Sequence, residues 1–435
     1  MKKYFLHFFV LLVSSGLYAQ STVETHTFYS LALGVEKSYL IYLPDGYGSD
    51  TTERYPSIYF LRLHEAEWFN PQFRTDGKTL KNVADDLIAD GIIGKMILVA
   101  PSTGGNSGGT PATEDLTDFG IVNMLRPDLA DDEGIGTGKF EDYFFQDLIP
   151  HIDSIYRTIP EWCARGVDGF SLGGYASTLY AIKHPGVFSS VGSYDGTIMW
   201  YNLDYPYLPG PFDDYNYYYP PLIPRFALMF DMPYNTSYML AHSATNLLLA
   251  ADAVTLDSIR EMAFHISAGS TNSNTNKLVN KQFIDSLAAK GIANTFSNYI
   301  LAPNAIHTWA WADYYARLSL PMHWETFVSS GCEGVVSETN DLDRPSSSIE
   351  LFQNFPNPVS SVTNIAFEIP ERGVINIDIF DAFGKRIKRL LSEEFPAGKH
   401  EIQMEVTDIP DGVYYYQLEN DAHIQTKKLI VLKNK

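Results

Sequence analysis

Between residues 37 and 301, short apolar runs alternate with stretches whose apolar residues recur every three or four positions. "KSYLIYL" (37–43), "YPSIYFLRL" (55–63) and "KMILVAPST" (95–103) have the continuous apolar character of buried strands. "LKNVADDLIADGI" (80–92) has helical spacing and stops at Gly91. "FEDYFFQDLIPHIDSIY" (140–156) is helical by the same test, with Pro150 as its kink or break. Strand "ARGVDGF" and helix "LGGYASTLYAIKHP" follow, then strand "SSVGSYDG" (189–196), strand "AFHISAGS" (263–270), helix "NKLVNKQFIDSLAAKG" (276–291) and strand "TFSNYIL" (295–301). Strands alternating with helices over such a length predict an α/β fold with a mostly parallel sheet covered on both faces.

The rhythm breaks between Thr197 and Leu249. Residues 199–226, crowded with Tyr and Pro and including Trp200 and the Tyr run 217–219, suit a lid or binding insertion that packs upon itself or stacks on sugar or phenolic rings. A polar, Ser-rich linker lies near residues 337–347. Beyond it the pattern changes to period two, in "INIDIF", "VYYYQL" and "KLIVL" separated by "PAGK" and "PDG" turns, which predicts a small all-β sandwich over residues 348–435.

Composition narrows the partners. With 52 acidic against 31 basic residues the net charge is −21, which opposes the phosphate contacts that nucleic-acid binding needs. The first residues carry Lys2 and Lys3, an apolar stretch to Val13 and small residues near Ala19, the layout of a secretory signal over residues 1–19. That stretch is short for a bilayer span, and no other segment has the length, so the mature chain is expected to have no transmembrane span. Two cysteines among 435 residues rule out a Cys-built metal centre or a disulfide scaffold, and no His pair stands at H-E-x-x-H spacing; no metal is expected. Cys163 lies just ahead of the "ARGVDGF" strand and Cys332 just beyond the last helix of the larger domain. Export permits the two to pair, and pairing is the expectation.

The chemistry concentrates at "DGFSLGGYAS" (168–177), where Gly169, Ser171 and Gly173 stand at G-x-S-x-G spacing between a strand and a helix. In an α/β hydrolase this sharp turn exposes a strained serine, and the glycines leave room for the backbone to approach. Ser171 is the candidate nucleophile, and the N–H of Leu172 the first oxyanion donor.

"YLPDGY", "KFEDYFFQDLIPHIDSIYRT", "GFSLGGYAS" with "KHPGVFSSVGSYDG", and "HTWAWADYYARL" together resemble the esterase-D-like branch of the α/β hydrolases. That branch includes feruloyl and acetyl-xylan esterases, S-formylglutathione hydrolases, siderophore esterases and mycolyl-type acyltransferases. The resemblance covers most of residues 25–332 and implies an α/β-hydrolase domain over residues 20–336, with acyl-ester chemistry and no cofactor. It also implies that His307, in "NAIHTWAW", is the base, ahead of His323 and His265, which sit in a helix and a strand. The family's acid is usually an Asp in a G-T-x-D-like turn, where this chain has "GSTNSN" and Asn272. Asp195, at the end of the strand after the nucleophile helix, is the preferred alternative, because a neutral amide orients imidazole without stabilising imidazolium. The second oxyanion donor usually follows an H-G pair. Here that stretch reads "YFLRLHEAEW", and neither Arg62-Leu63 nor His64-Glu65 supplies the glycine.

The C-terminal motifs "FQNFPNPVSSVTNIAFEIP", "IFDAFGKRIKRL", "DGVYYYQLEN" and "TKKLIVLK" resemble the sorting domain of the type IX secretion system of Bacteroidetes. This resemblance implies engagement of that machinery and passage through periplasm and outer membrane to the surface or medium. The expectation is a secreted serine carboxylic-ester hydrolase acting on acylated polysaccharide or a related extracellular ester. The alternatives are a non-catalytic glycan-binding protein on a degenerate scaffold and an acyltransferase of the same fold.

Overall fold

The computed structural model describes residues 20–49, 52–74, 77–105, 119–198, 223–232, 235–270, 275–296, 298–332, 334–335, 349–352, 354, 357, 359–381, 385–420 and 424–433. The chain divides into two compact units, Met1–Ser337 and Glu338–Lys435. The signal segment, the 337–347 linker, Trp200, the Tyr run 217–219 and Asn272 lie outside the described residues.

The larger unit is built on a seven-stranded sheet ordered β1-β2-β4-β3-β5-β6-β7. Its strands are β1 (Thr22–Ser30), β2 (Val35–Leu43), β3 (Ser57–Leu61), β4 (Ile97–Pro101), β5 (Arg165–Gly169), β6 (Ser190–Tyr194) and β7 (Ala263–Ser267). From β4 to β7 every pairing is parallel; β1 and β2 join by antiparallel pairing at one edge. The inner strands β3, β4, β5 and β6 are buried along their whole length, which is why their sequences read as runs rather than alternations. β1 escapes that reading because its "TVETHTFYS" is mostly solvent-facing and short of apolar residues.

Helices α1 (Leu80–Ala89), α3 (Ile149–Ile155) and α4 (Leu172–Lys183) cover the sheet. α2 (Phe140–Asp142) runs through a π-helical stretch, Tyr143–Leu148, into α3 without a break. Pro150 therefore does not end the helix. It has no N–H to give and its ring would crowd the carbonyl four residues back, and the wider turn, in which Ile149 N–H donates to Phe144 O, makes the room. Two long helices, Thr275–Ala289 and Trp309–Ser329, complete the layers. Where a strand is expected at 295–301, the described residues show an isolated bridge of Ile300 with Ala268, and Asn294 just before makes another with Phe264. The region expected to be irregular up to Leu249 holds helices Ile223–Phe230, Thr236–Leu240 and Ala244–Ala250, the last two capped by Asn235 and Ser243 side chains.

The smaller unit is all-β. Its strands are β8 (Glu350–Leu351), β9 (Val362–Ile369), β10 (Gly373–Asp381), β11 (Arg386–Phe395), β12 (Gly398–Glu405), β13 (Gly412–Glu419) and β14 (Ile424–Val431). A four-stranded sheet, β11-β10-β13-β14, and a three-stranded one, β12-β9-β8, enclose a core that includes Ile365, Phe367, Ile377, Ile379, Tyr416 and Leu418. Along β9 (Val362–Ile369) and β13 (Gly412–Glu419) burial alternates with exposure, as period two requires.

Candidate active site

Ser171 sits between the end of β5 and the start of α4 with φ 59° and ψ −117°, a conformation that L-residues other than glycine rarely adopt. The turn is held by Ser171 N–H donating to Tyr194 O at 3.1 Å and by Thr197 N–H donating to Ser171 O at 3.0 Å. Close packing explains two of the glycines. A Cβ on Gly173 would lie 1.8 Å from Leu61 O, and one on Gly169 would lie 2.2 Å from the Gly173 carbonyl. The elbow is thus wedged against the end of β3, and only hydrogen fits at those positions. Leu172 is the first residue of α4, where helix N–H groups have no partner within the helix.

Asp195 follows β6 directly and is fully buried, with φ 47°. Its Oδ1 accepts from Gly269 N–H at 3.1 Å and its Oδ2 lies 2.6 Å from Nδ1 of His307. Its backbone is pinned as well: Asp195 N–H donates to Ser267 O at 2.7 Å, and Asn276 Nδ2 donates to Asp195 O at 2.9 Å. A carboxylate only accepts, so Nδ1 of His307 carries the hydrogen, which leaves Nε2 as the acceptor nitrogen of the neutral ring. The His307 loop is fixed by Tyr194 Oη donating to Ile306 O at 2.8 Å. Burial pushes the Tyr194 phenol up, with the Asp195 charge adding to it, so this hydroxyl remains a donor.

His307 keeps 37% of its side chain exposed, while Ser171 is only 7% exposed. No hydrogen bond joins Ser171 Oγ to the imidazole. The two are linked through Phe170, whose ring centroid lies 4.5 Å from that of His307. Trp309 packs edge-on to Phe170 at 5.1 Å.

The weaker histidine candidates are elsewhere. His323 is buried with Nε2 3.1 Å from Asp168 Oδ2, and Ser319 Oγ donates to the same oxygen at 2.8 Å. His265 is buried between Ser190 Oγ and Thr295 Oγ1, both at 2.7 Å, and burial drives it well below the usual histidine range. Both are core histidines; His265 has a partner at each ring nitrogen, whereas Nδ1 of His323 is buried without one.

Glu67 gave no signal in the sequence, because nothing local marks a glutamate that caps the backbone behind it. It is buried, and its Oε2 accepts from the N–H groups of both Leu63 and His64 at 2.9 Å. Its Oε1 lies 3.4 Å from Arg62 Nε. Those two N–H groups are the ones that the stretch after β3 would offer to an oxyanion.

Residues 30–218 match a family model described as a putative esterase, and residues 353–432 match a secretion system C-terminal sorting domain. An esterase of Mycobacterium tuberculosis is 28% identical over 172 residues, 39% of this chain and 31% of that protein. An endo-1,4-beta-xylanase/feruloyl esterase of Xylanibacter ruminicola is 28% identical over 180 residues, 40% of this chain and 21% of that protein. The matched stretches therefore span less than a third of either curated relative. Among solved structures, a ferulic acid esterase superposes with a TM-score of 0.54 at 20% identity, covering 71% of this chain and 99% of that one, which shows the shared fold. No helix among the described residues is long and apolar enough to cross a membrane, and the sorting domain marks the chain for export to the cell surface or beyond. The chain thus joins a unit of α/β-hydrolase fold, matched in part by the putative-esterase model, to a secretion system C-terminal sorting domain.

Proposed function

We propose that this protein is a secreted carboxylic-ester hydrolase that works through an acyl-enzyme on Ser171. The observation that carries the reading is the 2.6 Å contact of Asp195 Oδ2 with His307 Nδ1 beside a serine held at positive φ on a strand-to-helix turn. His307 Nε2 takes the Ser171 proton as Oγ attacks the ester carbonyl, and Asp195 stabilises the imidazolium that results. The Leu172 N–H donates to the oxygen that becomes negative. When the C–O bond breaks, His307 returns the proton to the departing alcohol. Water, activated by the same imidazole, then releases the acid and restores Ser171. The chemistry calls on no cofactor.

The substrate class proposed is an acylated polysaccharide or a related extracellular ester. Support comes from the secretion sorting domain and from similarity to a feruloyl esterase of X. ruminicola and to the ferulic acid esterase fold. The test is hydrolysis of acetyl, butyryl and feruloyl p-nitrophenyl or methyl esters by the wild-type protein and by Ser171→Ala. Turnover by the wild type and none by the variant is the expected result. Equal inertness of both across all esters would leave a non-catalytic glycan-binding protein, and acyl transfer to an added sugar in place of hydrolysis would make it an acyltransferase.

A further inference from the structure

We propose that the guanidinium of Arg62 is a catalytic residue, the charged partner of the Leu172 N–H in the oxyanion pocket. The inference rests on the hydrolase reading above and concerns a donor that the backbone here does not supply. The stretch after β3 would ordinarily present its free N–H groups to the developing oxyanion, but Glu67 occupies those of Leu63 and His64, each at 2.9 Å.

Arg62 is the residue left in that place. It follows directly on β3, whose last residue, Leu61, pairs with Gly169 at the base of the elbow. A Cβ on Gly173 would meet Arg62 N at 3.0 Å, so the Arg62 main chain packs on the first turn of α4, beside the Leu172 N–H. The side chain is 6% exposed, yet it makes no hydrogen bond among the described residues, and its buried Nε has no hydrogen-bond partner. A buried cation with unused donors is costly to keep, and such groups gather where charge develops during a reaction.

Its neighbours point the same way. The guanidinium carbon lies 5.3 Å from the centroid of the Phe170 ring, which also packs on His307, and 5.9 Å from that of Trp309. Glu67 Oε1, at 3.4 Å from Nε, offsets the charge in the resting protein without taking the terminal nitrogens. Arginine stays charged at any working pH and offers five N–H donors. A carbonyl oxygen that gains negative charge at this position therefore finds one backbone donor and one cation.

The test compares the full-length wild type with Arg62→Met, Arg62→Lys and Ser171→Ala on p-nitrophenyl acetate, with melting temperatures to certify folding. It also measures inhibition by phenylboronic acid, which forms a tetrahedral anion on an active serine. Arg62→Met should lower kcat by about 10²–10³ with KM little changed, and should weaken boronate inhibition in step. Arg62→Lys, which keeps the charge, should lose less. Wild-type kcat in Arg62→Met while Ser171→Ala is dead would overturn the role of Arg62 and leave the hydrolase reading standing. A raised KM or a lowered melting temperature with kcat and boronate affinity intact would assign Arg62 to packing and overturn it equally. An inert wild type, or an active Ser171→Ala, would end the hydrolase reading and this inference with it.

Discussion

Asp195 Oδ2 and His307 Nδ1 meet at 2.6 Å although 112 positions separate the two residues in the chain. The contact exists because β6 and β7 are parallel neighbours, which brings the loop after β6 against the segment that follows β7. Asp195 is locked there by four partners, counting Gly269, Ser267 and Asn276 beside His307. Its φ of 47° is a strained value that the same partners hold in place.

Replacing Asp195 by Asn should lower kcat by about 10⁴ with KM nearly unchanged, because the carboxylate matters most when the imidazole is charged. Steady-state kinetics on a short-chain p-nitrophenyl ester measure it. Asn272→Ala should do far less; the reverse pattern would return the acid to position 272.

Gly173→Ala should fail to fold or be recovered only as insoluble protein. The added methyl carbon would sit 1.8 Å from Leu61 O, a backbone atom that cannot step aside without moving β3. Gly291→Ala is a useful contrast: its φ of 75° is strained for alanine but nothing lies within 4 Å, so a modest loss of melting temperature is expected.

Glu141 makes stability depend on acid pH. Burial alone would raise its carboxyl, but hydrogen bonds from His184, His242 and Lys183 outweigh that and hold it well below the usual carboxylate range. A carboxyl lowered in the folded state contributes fully above its unfolded value and loses that contribution as pH falls toward the folded one. The stability difference between wild type and Glu141→Gln should therefore be level above about pH 5 and shrink below about pH 4.5, as read by urea denaturation across that range.

Cys163 and Cys332 form a disulfide across 169 positions, with Cα atoms 5.6 Å apart, as their placement at the edges of β5 and the last helix suggested. It ties the end of the Trp309–Ser329 helix to the approach to the nucleophile strand. Reduction, or replacement of both by Ser, should cost about 2–5 kcal/mol of stability, seen as a lower melting temperature in thermal denaturation.

Deleting residues 338–435, a compact unit of its own, should leave an active enzyme inside the outer membrane. Fractionation with an ester assay on medium, surface and periplasm decides it; appearance of the truncated protein outside intact cells would contradict the sorting role.

The sequence alone determined the features that depend on near neighbours. Buried strands show as apolar runs, the elbow shows as glycines two positions either side of Ser171, and the sandwich shows as period two, because each is a regularity over a few residues. The local "HTW" context singled out His307 as a candidate, and the secretion domain was legible from several short motifs. What only the tertiary structure decided involves partners far apart in the chain. The choice of Asp195 as the neighbour of His307 depends on strand order, which local pattern does not encode. The π turn that carries the helix past Pro150 is a backbone adjustment that the apolar spacing does not show. The capture of the Leu63 and His64 N–H groups by Glu67 is the sharpest case: the residues are close in sequence, but a glutamate near a strand end is normally solvated, and here it is buried beside Arg62.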